Sequence, residues 1–427
     1  MLKRVIYTAL VGATTLTAHA VHADNAITQP TDDGYVEAGD YIQLLVPASG
    51  YLAAWLNDDW EGAKQLTYSV ATTAGIVQAT KFTVGRIRPN AANNVSFPSG
   101  HTSAAFSGAA FLQSRYGSEW GIPGYIAATY VGGSRIYGNR HYADDVVAGA
   151  GIAFLVNQYF VSGYAPDGIA INAEPTGDGI MVNVSVSNDV LSYDKKSRAM
   201  TVDSGEQRNL FTLDIGFNHY DSLADIGANQ TLSSTAPLDP HQPFATAKYT
   251  YLMENARSFE LTFSPNETRR SGVVNQSFTV ANTTYNAGES VFMAMRQWQL
   301  GGAYIRHFDL NTNVSLGAGV GLNWYLVEFE TDLENGGRHS SITDYPILPS
   351  GLITAQYTFN EDWRLKARAE VQALSGNQVV LFESGINYQI NRNWSVELKY
   401  SASRSKWDEL ETKYHTESAV ISVTNQF

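Results

Sequence analysis

Trp363-Arg364-Leu365-Lys366-Ala367-Arg368-Ala369-Glu370-Val371-Gln372-Ala373 carries an apolar residue at every odd position and a charged or polar one at every even position. Successive side chains of a β-strand point to opposite faces, so this stretch predicts a strand with one apolar and one charged face. Trp394, Val396, Leu398, Tyr400 and Ala402 repeat the pattern against Ser395, Glu397, Lys399 and Ser401. In a soluble sandwich the apolar face is buried in a core. In a barrel that crosses a membrane it meets lipid, and the charged face lines a polar lumen. Connection lengths separate the two. Short polar turns at Asp309–Thr312, Asn360–Asp362 and Asn391–Asn393 alternate with longer loops around Asp221–Thr246, Pro265–Gly288, Thr331–Tyr345 and Ser405–Thr416. That asymmetry belongs to transmembrane barrels. Trp298, Tyr304, Trp324, Tyr325, Trp363 and Trp394 fall where interfacial aromatic girdles are expected. Counting from Asn209 gives about ten antiparallel strands with both ends on one side, or eight if Tyr249–Phe263 is one bent strand.

The last nine residues, Ala419 to Phe427, resemble the C-terminal strand of bacterial outer-membrane proteins, whose terminal aromatic residue is read by the assembly machinery. The resemblance implies an outer-membrane barrel, with outer-membrane lipid and that machinery as partners.

Upstream the texture differs. From Asp24 to Tyr164 apolar residues gather in helix-like blocks, among them Tyr41–Leu56, Leu66–Thr80, Thr102–Tyr116 and Asp145–Phe160, with Asn-Pro-Gly punctuation between them. Lys3-Arg4, an apolar run from Val5 to Leu16 and the small residues up to Ala20 or Ala23 describe a secretory signal peptide. The expected organisation is a signal peptide at 1–23, a helical domain at 24–165, a linker with some β structure at 166–206 and a barrel at 207–427. A formal net charge of -13 argues against a nucleic-acid partner, and the absence of cysteine excludes disulfides and thiolate metal sites.

Within the helical region three stretches concentrate chemistry. Lys81 is followed by Arg88-Pro89; Pro98-Ser99-Gly100-His101 comes next; then Ser134-Arg135, His141 and Asp145. Phosphoryl transfer needs charge neutralisation on the non-bridging oxygens, an in-line nucleophile and a proton for the leaving group. Lys81 and Arg88, about two helical turns apart, are expected on one face of a helix that Pro89 ends. Arg135 adds a planar fork, and Ser99-Gly100 a turn whose N–H groups approach an anion at a helix start. His141 and Asp145 are i, i+4 on an expected helix, so the carboxylate can hold one ring nitrogen while the other attacks phosphorus. His101 is the natural acid for the leaving alkoxide. The cations do the electrostatic work of a metal, and no metal or cofactor is expected. Asp144 reads as a solvated neighbour, Arg140 as surface, and His219, His241, His307, His339 and His415 as lumen or loop residues.

Together the three stretches resemble the signature of the type 2 phosphatidic acid phosphatase superfamily, which also holds class A acid phosphatases and vanadium haloperoxidases. The resemblance covers roughly residues 40–163. It implies an all-helical phosphatase that works through a phosphohistidine on His141, with His101 as general acid, Asp145 orienting His141, and Lys81, Arg88, Ser99, Gly100 and Arg135 cradling phosphate. The haloperoxidase branch fits this short helical region poorly.

The resulting expectation is a multidomain α and β chain: a periplasmic helical phosphatase held at the outer membrane by its own antiparallel barrel. A phosphorylated lipid or isoprenoid is the preferred substrate, because a soluble ester needs no tether. A broad-specificity acid phosphatase on soluble esters, and a barrel whose pore or binding role is primary, are the alternatives.

Overall fold

The computed structural model describes residues 30–164, 169–176, 179–186, 207–221, 232–237, 242–333 and 336–427. The expected signal peptide, most of the expected linker and His241 lie outside the described residues. Five helices come first: α1 (Gly34–Leu56), α2 (Trp60–Val84), α3 (Gly100–Tyr116), α4 (Ser118–Tyr137) and α5 (Ala143–Phe160). Their ends follow local chemistry. Asp33 accepts from the N–H groups of Tyr35 and Val36 to start α1, and Asp59 accepts from Gly62 N–H to start α2. Gly85 ends α2 in the left-handed region at φ 67°, where a residue without Cβ carries no strain. Helix α3 is the core of the bundle. Its Ala105, Ala109, Ala110 and Phe111 are wholly buried, and its small residues let α1, α2, α4 and α5 pack around it. No described helix is long and apolar enough to cross a membrane.

A hairpin of β1 (Ile169–Thr176) and β2 (Gly179–Val186) follows, within the expected linker. The remaining strands are β3 (Asn209–Asp221), β4 (Leu232–Pro237), β5 (Pro243–Met253), β6 (Arg257–Val274), β7 (Phe278–Val280), β8 (Thr283–Tyr285), β9 (Ser290–Asp309), β10 (Val314–Leu333), β11 (His339–Asp344), β12 (Ile347–Thr358), β13 (Trp363–Leu374), β14 (Asn377–Gln389), β15 (Trp394–Trp407) and β16 (Thr412–Gln426). Ten of them form a closed antiparallel ring, β3-β5-β6-β9-β10-β12-β13-β14-β15-β16, and β16 returns to pair with β3. Tyr249–Phe263 is two strands joined at Glu254–Ala256, so the eight-strand count does not hold. The turns between β5 and β6, β9 and β10, β12 and β13, and β14 and β15 share one end of the barrel with Asn209 and Phe427, whose backbones pair. At the other end β6, β9 and β10 run on for 18–20 residues, beside β7, β8 and β11.

The alternation sorts as expected. Val320, Leu322, Ile353, Leu365, Phe382, Ile386, Leu398 and Ile421 stand exposed on the outer wall. Inside, Arg368 pairs with Glu260 (2.6 Å) and Glu370 (2.8 Å), and Lys399 with Asp214 (2.8 Å) and Glu383 (3.0 Å). Above these charges, at the long-loop end, Met293, Met295, Val327, Phe329, Trp407 and Tyr414 form an apolar plug. A polar cavity of about 140 Å³ remains in the lumen. Tyr325 departs from its expected girdle position. It lies on the inward register of β10, is buried against Trp407, and donates its OH to Gln372 (2.7 Å).

The helical unit does not hang beyond an end of the barrel, as a tethered domain would; it lies along the barrel's outer wall. Outward-facing Leu213 of β3 is buried among Val77, Ile152, Leu155 and Val156, and Ala245 of β5 among Val84, Phe97, Val147 and Ala148. Gly151 opens the space for this contact, because a Cβ there would come within 2.6 Å of Leu213. Helix α5 runs down the wall. Tyr142, just before it, sits under Arg269 of β6 (4.6 Å), whereas Phe154 meets Phe427 (5.6 Å) and Tyr159 meets Trp394 (6.5 Å) at the short-turn end.

Candidate active site

All five helices bring one end to the same place: the starts of α1, α3 and α5 and the ends of α2 and α4. Lys81, in the last turn of α2, is buried and donates to the carbonyls of Val95 (2.5 Å) and Ser96 (3.3 Å). Arg88 is not on that helix, contrary to its spacing. Gly85 ends α2 three residues earlier, and Arg88 lies in the following loop, donating to Asn93 Oδ1 (2.9 Å) and Arg140 O (3.2 Å). The two cations still converge, since the loop folds back over the Lys81 ammonium.

Ser99 caps α3 as expected, and its Oγ accepts from Thr102 N–H (3.4 Å) and Thr102 Oγ1 (3.0 Å). Its own N–H is committed to Asp145 O (2.9 Å), which ties the start of α3 to α5. A Cβ on Gly100 would meet only Lys81 Cε, at 3.8 Å, so the helix start faces the lysine. The first N–H groups of a helix have no backbone partner within it, and this helix start lies beside the cation.

His141 also departs from its expected place. It precedes α5, whose first residue is Ala143, and Asp145 lies in the first turn. The pairing survives: His141 Nδ1 is 3.2 Å from Asp145 Oδ2. The same carboxylate accepts from Ser96 Oγ (2.5 Å) and Tyr142 N–H (3.0 Å), and through Oδ1 from Arg86 (2.9 Å). Asp144 is fully buried rather than solvated, because Arg86 reaches both carboxylates and bonds Asp144 Oδ1 at 2.6 Å. Arg86 is a residue that spacing did not single out. It is two residues before Arg88, and nothing local distinguishes it from a surface arginine.

Asp40 was equally hidden. It comes from α1, outside the three stretches, and its Oδ1 accepts from Arg135 Nη1 (2.5 Å) and lies 3.1 Å from His101 Nε2. Gly39 makes the approach feasible, since a Cβ there would lie 2.2 Å from Ser134 Oγ and 2.7 Å from Arg135 Nη2. Arg135 is wholly buried and also donates to Val36 O (2.5 Å). Arg140 pairs with Asp32 through its side chain.

The electrostatics follow from burial in a cationic site. His141 is pushed down to about 4, first by burial and then by Arg88 and Lys81, although the Asp145 hydrogen bond opposes this. His101 is pushed down to about 4 by burial and Arg135, with Asp40 opposing. Burial lowers Lys81 to about 8. Burial alone would raise the Asp145 carboxyl, but Arg86 and the His141 and Ser96 hydrogen bonds hold it well below the usual carboxylate range. Asp144 is pushed up to about 7 by burial, opposed by Arg86 and reinforced by Asp145. At neutral pH the site therefore holds an ionised Asp145 beside a neutral His141, among cations. Its residues come from all five helices and from the loops before α3 and α5.

The other described histidines lie on the barrel. His307 meets Ser258 Oγ (2.9 Å), and His219 pairs with Glu417 (3.5 Å). His339 meets Asp332 (2.7 Å) and Glu330 (3.8 Å), a grouping its sequence spacing did not reveal, and Arg296 already pairs with Glu330 (2.8 Å).

Comparison with known proteins points the same way for the helices. Residues 62–165 match the PAP2 superfamily model. A lipid A 1-phosphatase of Porphyromonas gingivalis is 33% identical over 146 residues, 31% of this chain and 33% of the relative. A lipid A 4'-phosphatase of Helicobacter pylori is 27% identical over 154 residues, 33% of this chain and 77% of the relative. The chain thus spans about a third of the length of the first and three quarters of the second. Among solved structures, the translocator domain of the autotransporter NalP from Neisseria meningitidis shares 10% identity, covering 53% of this chain and 91% of that one at a TM-score of 0.29. The outer membrane protease OmpT of Escherichia coli shares 10%, covering 52% and 94% at a TM-score of 0.30. The barrel assignment rests on the strand pairing itself. Residues 62–165 are a PAP2 superfamily domain, and a closed ten-stranded barrel follows it in the same chain.

Proposed function

We propose that this chain is a metal-independent phosphomonoesterase of the outer membrane that acts on a lipid phosphate through a phosphohistidine at His141. One observation carries the reading: a buried, neutral imidazole whose Nδ1 is held by an ionised carboxylate, in a pocket with Lys81, Arg88 and Arg135. The apolar outer wall of the closed barrel supports the membrane location, and the two lipid A phosphatases among its relatives support a lipid phosphate as substrate.

The chemistry follows from the geometry. Lys81, Arg88, Arg135 and the first N–H groups of α3 neutralise the non-bridging oxygens. His141 Nε2 attacks phosphorus as the bond to the leaving oxygen breaks, and Asp145 stabilises the imidazolium that forms. His101, protonated once the phosphate dianion sits beside it, gives its proton to the leaving alkoxide. Neutral His101 then takes a proton from water, whose oxygen attacks phosphorus and frees His141. Asp40 spans His101 and Arg135, so the incoming phosphate must displace it or share these donors with it.

Phosphate release from a lipid monophosphate in detergent micelles, with excess chelator present, tests the reading. Release is expected to persist in chelator, to be blocked by vanadate, and to fall by ~10³-fold or more in His141→Ala. Full activity in that variant would remove the proposal. Preference for soluble esters over lipid in the same assay would replace the substrate class and leave the chemistry standing.

A further inference from the structure

We propose that the helical unit is embedded in the bilayer beside the barrel with its site at the long-loop boundary, and that this site takes the phosphate headgroup of a lipid seated in the leaflet on that side. The substrate half of this statement rests on the phosphatase reading above; the placement does not.

The contact with the barrel lies at the level of the apolar belt. Ile215 and Leu213, which the helices cover, pair directly with Ile421 and Val423 of β16, and Ile421 remains 51% exposed on the open side of the same row. Helix α5 has 18 residues and is therefore about 27 Å long, close to the ~30 Å thickness of a hydrocarbon core. One of its ends touches Phe427 and Trp394 at the short-turn rim. The other brings Tyr142 to Arg269, beyond the Phe263–Leu300 pair of the belt and towards the long loops. The charged site thus falls at a polar boundary and not in the middle of the belt.

The faces turned away from the barrel have the chemistry of a lipid contact. On α1, Tyr41, Leu44, Leu45, Leu52, Trp55 and Leu56 are all more than half exposed and recur at helical spacing along one stripe. Phe82 on α2 and Ile122 and Ile126 on α4 are similarly bare. A soluble unit rarely leaves such a surface uncovered. Aromatic residues mark one edge of it: Trp55, Trp60, Trp120 and Tyr159 all sit at the helix ends opposite the site, where Tyr159 joins Trp394 of the barrel's own girdle. No described helix is long and apolar enough to cross, so the unit depends on the barrel wall and on this stripe to hold its depth.

Orientation follows from the turns. In outer-membrane barrels short turns face the periplasm and long loops face outward. The site end is the long-loop end, so the phosphate pocket faces the outer leaflet, opposite to the periplasmic side expected of a tethered domain.

The chain has no cysteine, so single cysteines report position cleanly. Ala92→Cys lies in the exposed loop at the site end, and Glu119→Cys in the exposed first turn of α4 at the far end. A membrane-impermeant maleimide applied to intact cells is expected to label Ala92→Cys, and Glu119→Cys only after the outer membrane is permeabilised. The reverse pattern, or labelling of neither until permeabilisation, would overturn the placement whatever the catalytic result. For the substrate, Leu44→Asp with Leu45→Asp should cut hydrolysis of a vesicle-borne lipid monophosphate at least ~10-fold while leaving p-nitrophenyl phosphate hydrolysis unchanged, because neither residue is in the site. Equal loss on both substrates, or none on either, would refute the leaflet-bound substrate. No hydrolysis of either by the unaltered protein would instead refute the phosphatase reading, with the labelling result intact.

Discussion

The barrel lumen and the helical site both bury many charges, but they spend them differently. In the lumen the central cations meet carboxylates: Arg368 holds Glu260 and Glu370, and Lys399 holds Asp214 and Glu383. In the site, Lys81 and Arg88 are hydrogen-bonded to backbone carbonyls and an amide oxygen, and Arg135 shares one carboxylate with His101. Carbonyls satisfy hydrogen bonds without cancelling charge, so the site keeps a positive field that an incoming dianion can use. Paired charges stabilise a wall; underpaired ones wait for a ligand. The bidentate pair of Arg115 with Asp59 (2.5 and 2.7 Å), at the far end of the helices, belongs to the first kind.

The contrast can be broken by removing one cation of each kind. Arg86 is the structural member of the site, because it neutralises two wholly buried carboxylates. Arg86→Met strands both, and breaking such a pair costs about 3–5 kcal/mol. A large drop in the melting temperature of the helical unit is expected, and activity should fall with it because Asp145 no longer holds His141. An unchanged melting curve would mean that Asp144 had taken up a proton in the variant, a state its raised pKa already favours.

A smaller effect sharpens the account of the phosphate cradle. In the proposed mechanism Lys81 must be charged to neutralise phosphate, so burial, which lowers it to about 8, predicts an alkaline limb of kcat/KM near that pH. Above it the ammonium loses its proton and the cradle one charge. Lys81→Arg keeps the charge, so the alkaline limb should move upward even if the maximum rate falls. A limb that stays near 8 in the variant would assign the titration to another group. The smallest effect is predicted in the lumen: Arg368→Met should leave phosphatase activity within about twofold, since it touches only barrel residues. A strong loss would mean that the two regions are coupled through the wall.

How much of this was legible follows the range of the signals. Alternation in Trp363–Ala373 is local, so strand type, outward face and lumen charge could all be read from it. The aromatic set was right where residues kept the outward register and failed at Tyr325, because a one-residue shift in parity reverses a side chain's face. His101, His141 and Asp145 could be picked out of the sequence because their chemistry is distinctive as a set, and the fold brings them together. Their backbone setting was read less well: Gly85 stops α2 before Arg88, and His141 falls just ahead of α5. Arg86 and Asp40 stayed hidden, since each acts across the bundle on partners 58 to 95 residues away and no periodicity encodes such contacts. The packing of helices on barrel was hidden for the same reason. Outward apolar residues at Leu213 and Ala245 look the same whether lipid or a helix covers them.

The central claim is that His141 carries the phosphoryl group. Mixing the protein with a lipid monophosphate labelled in its phosphorus, quenching rapidly in alkali where phosphohistidine survives, and mapping the labelled peptide tests it most directly. Label on His141, lost in His141→Ala and retained in excess chelator, is the predicted result. Turnover of the lipid with no label on the protein, or label on any other residue, would contradict it.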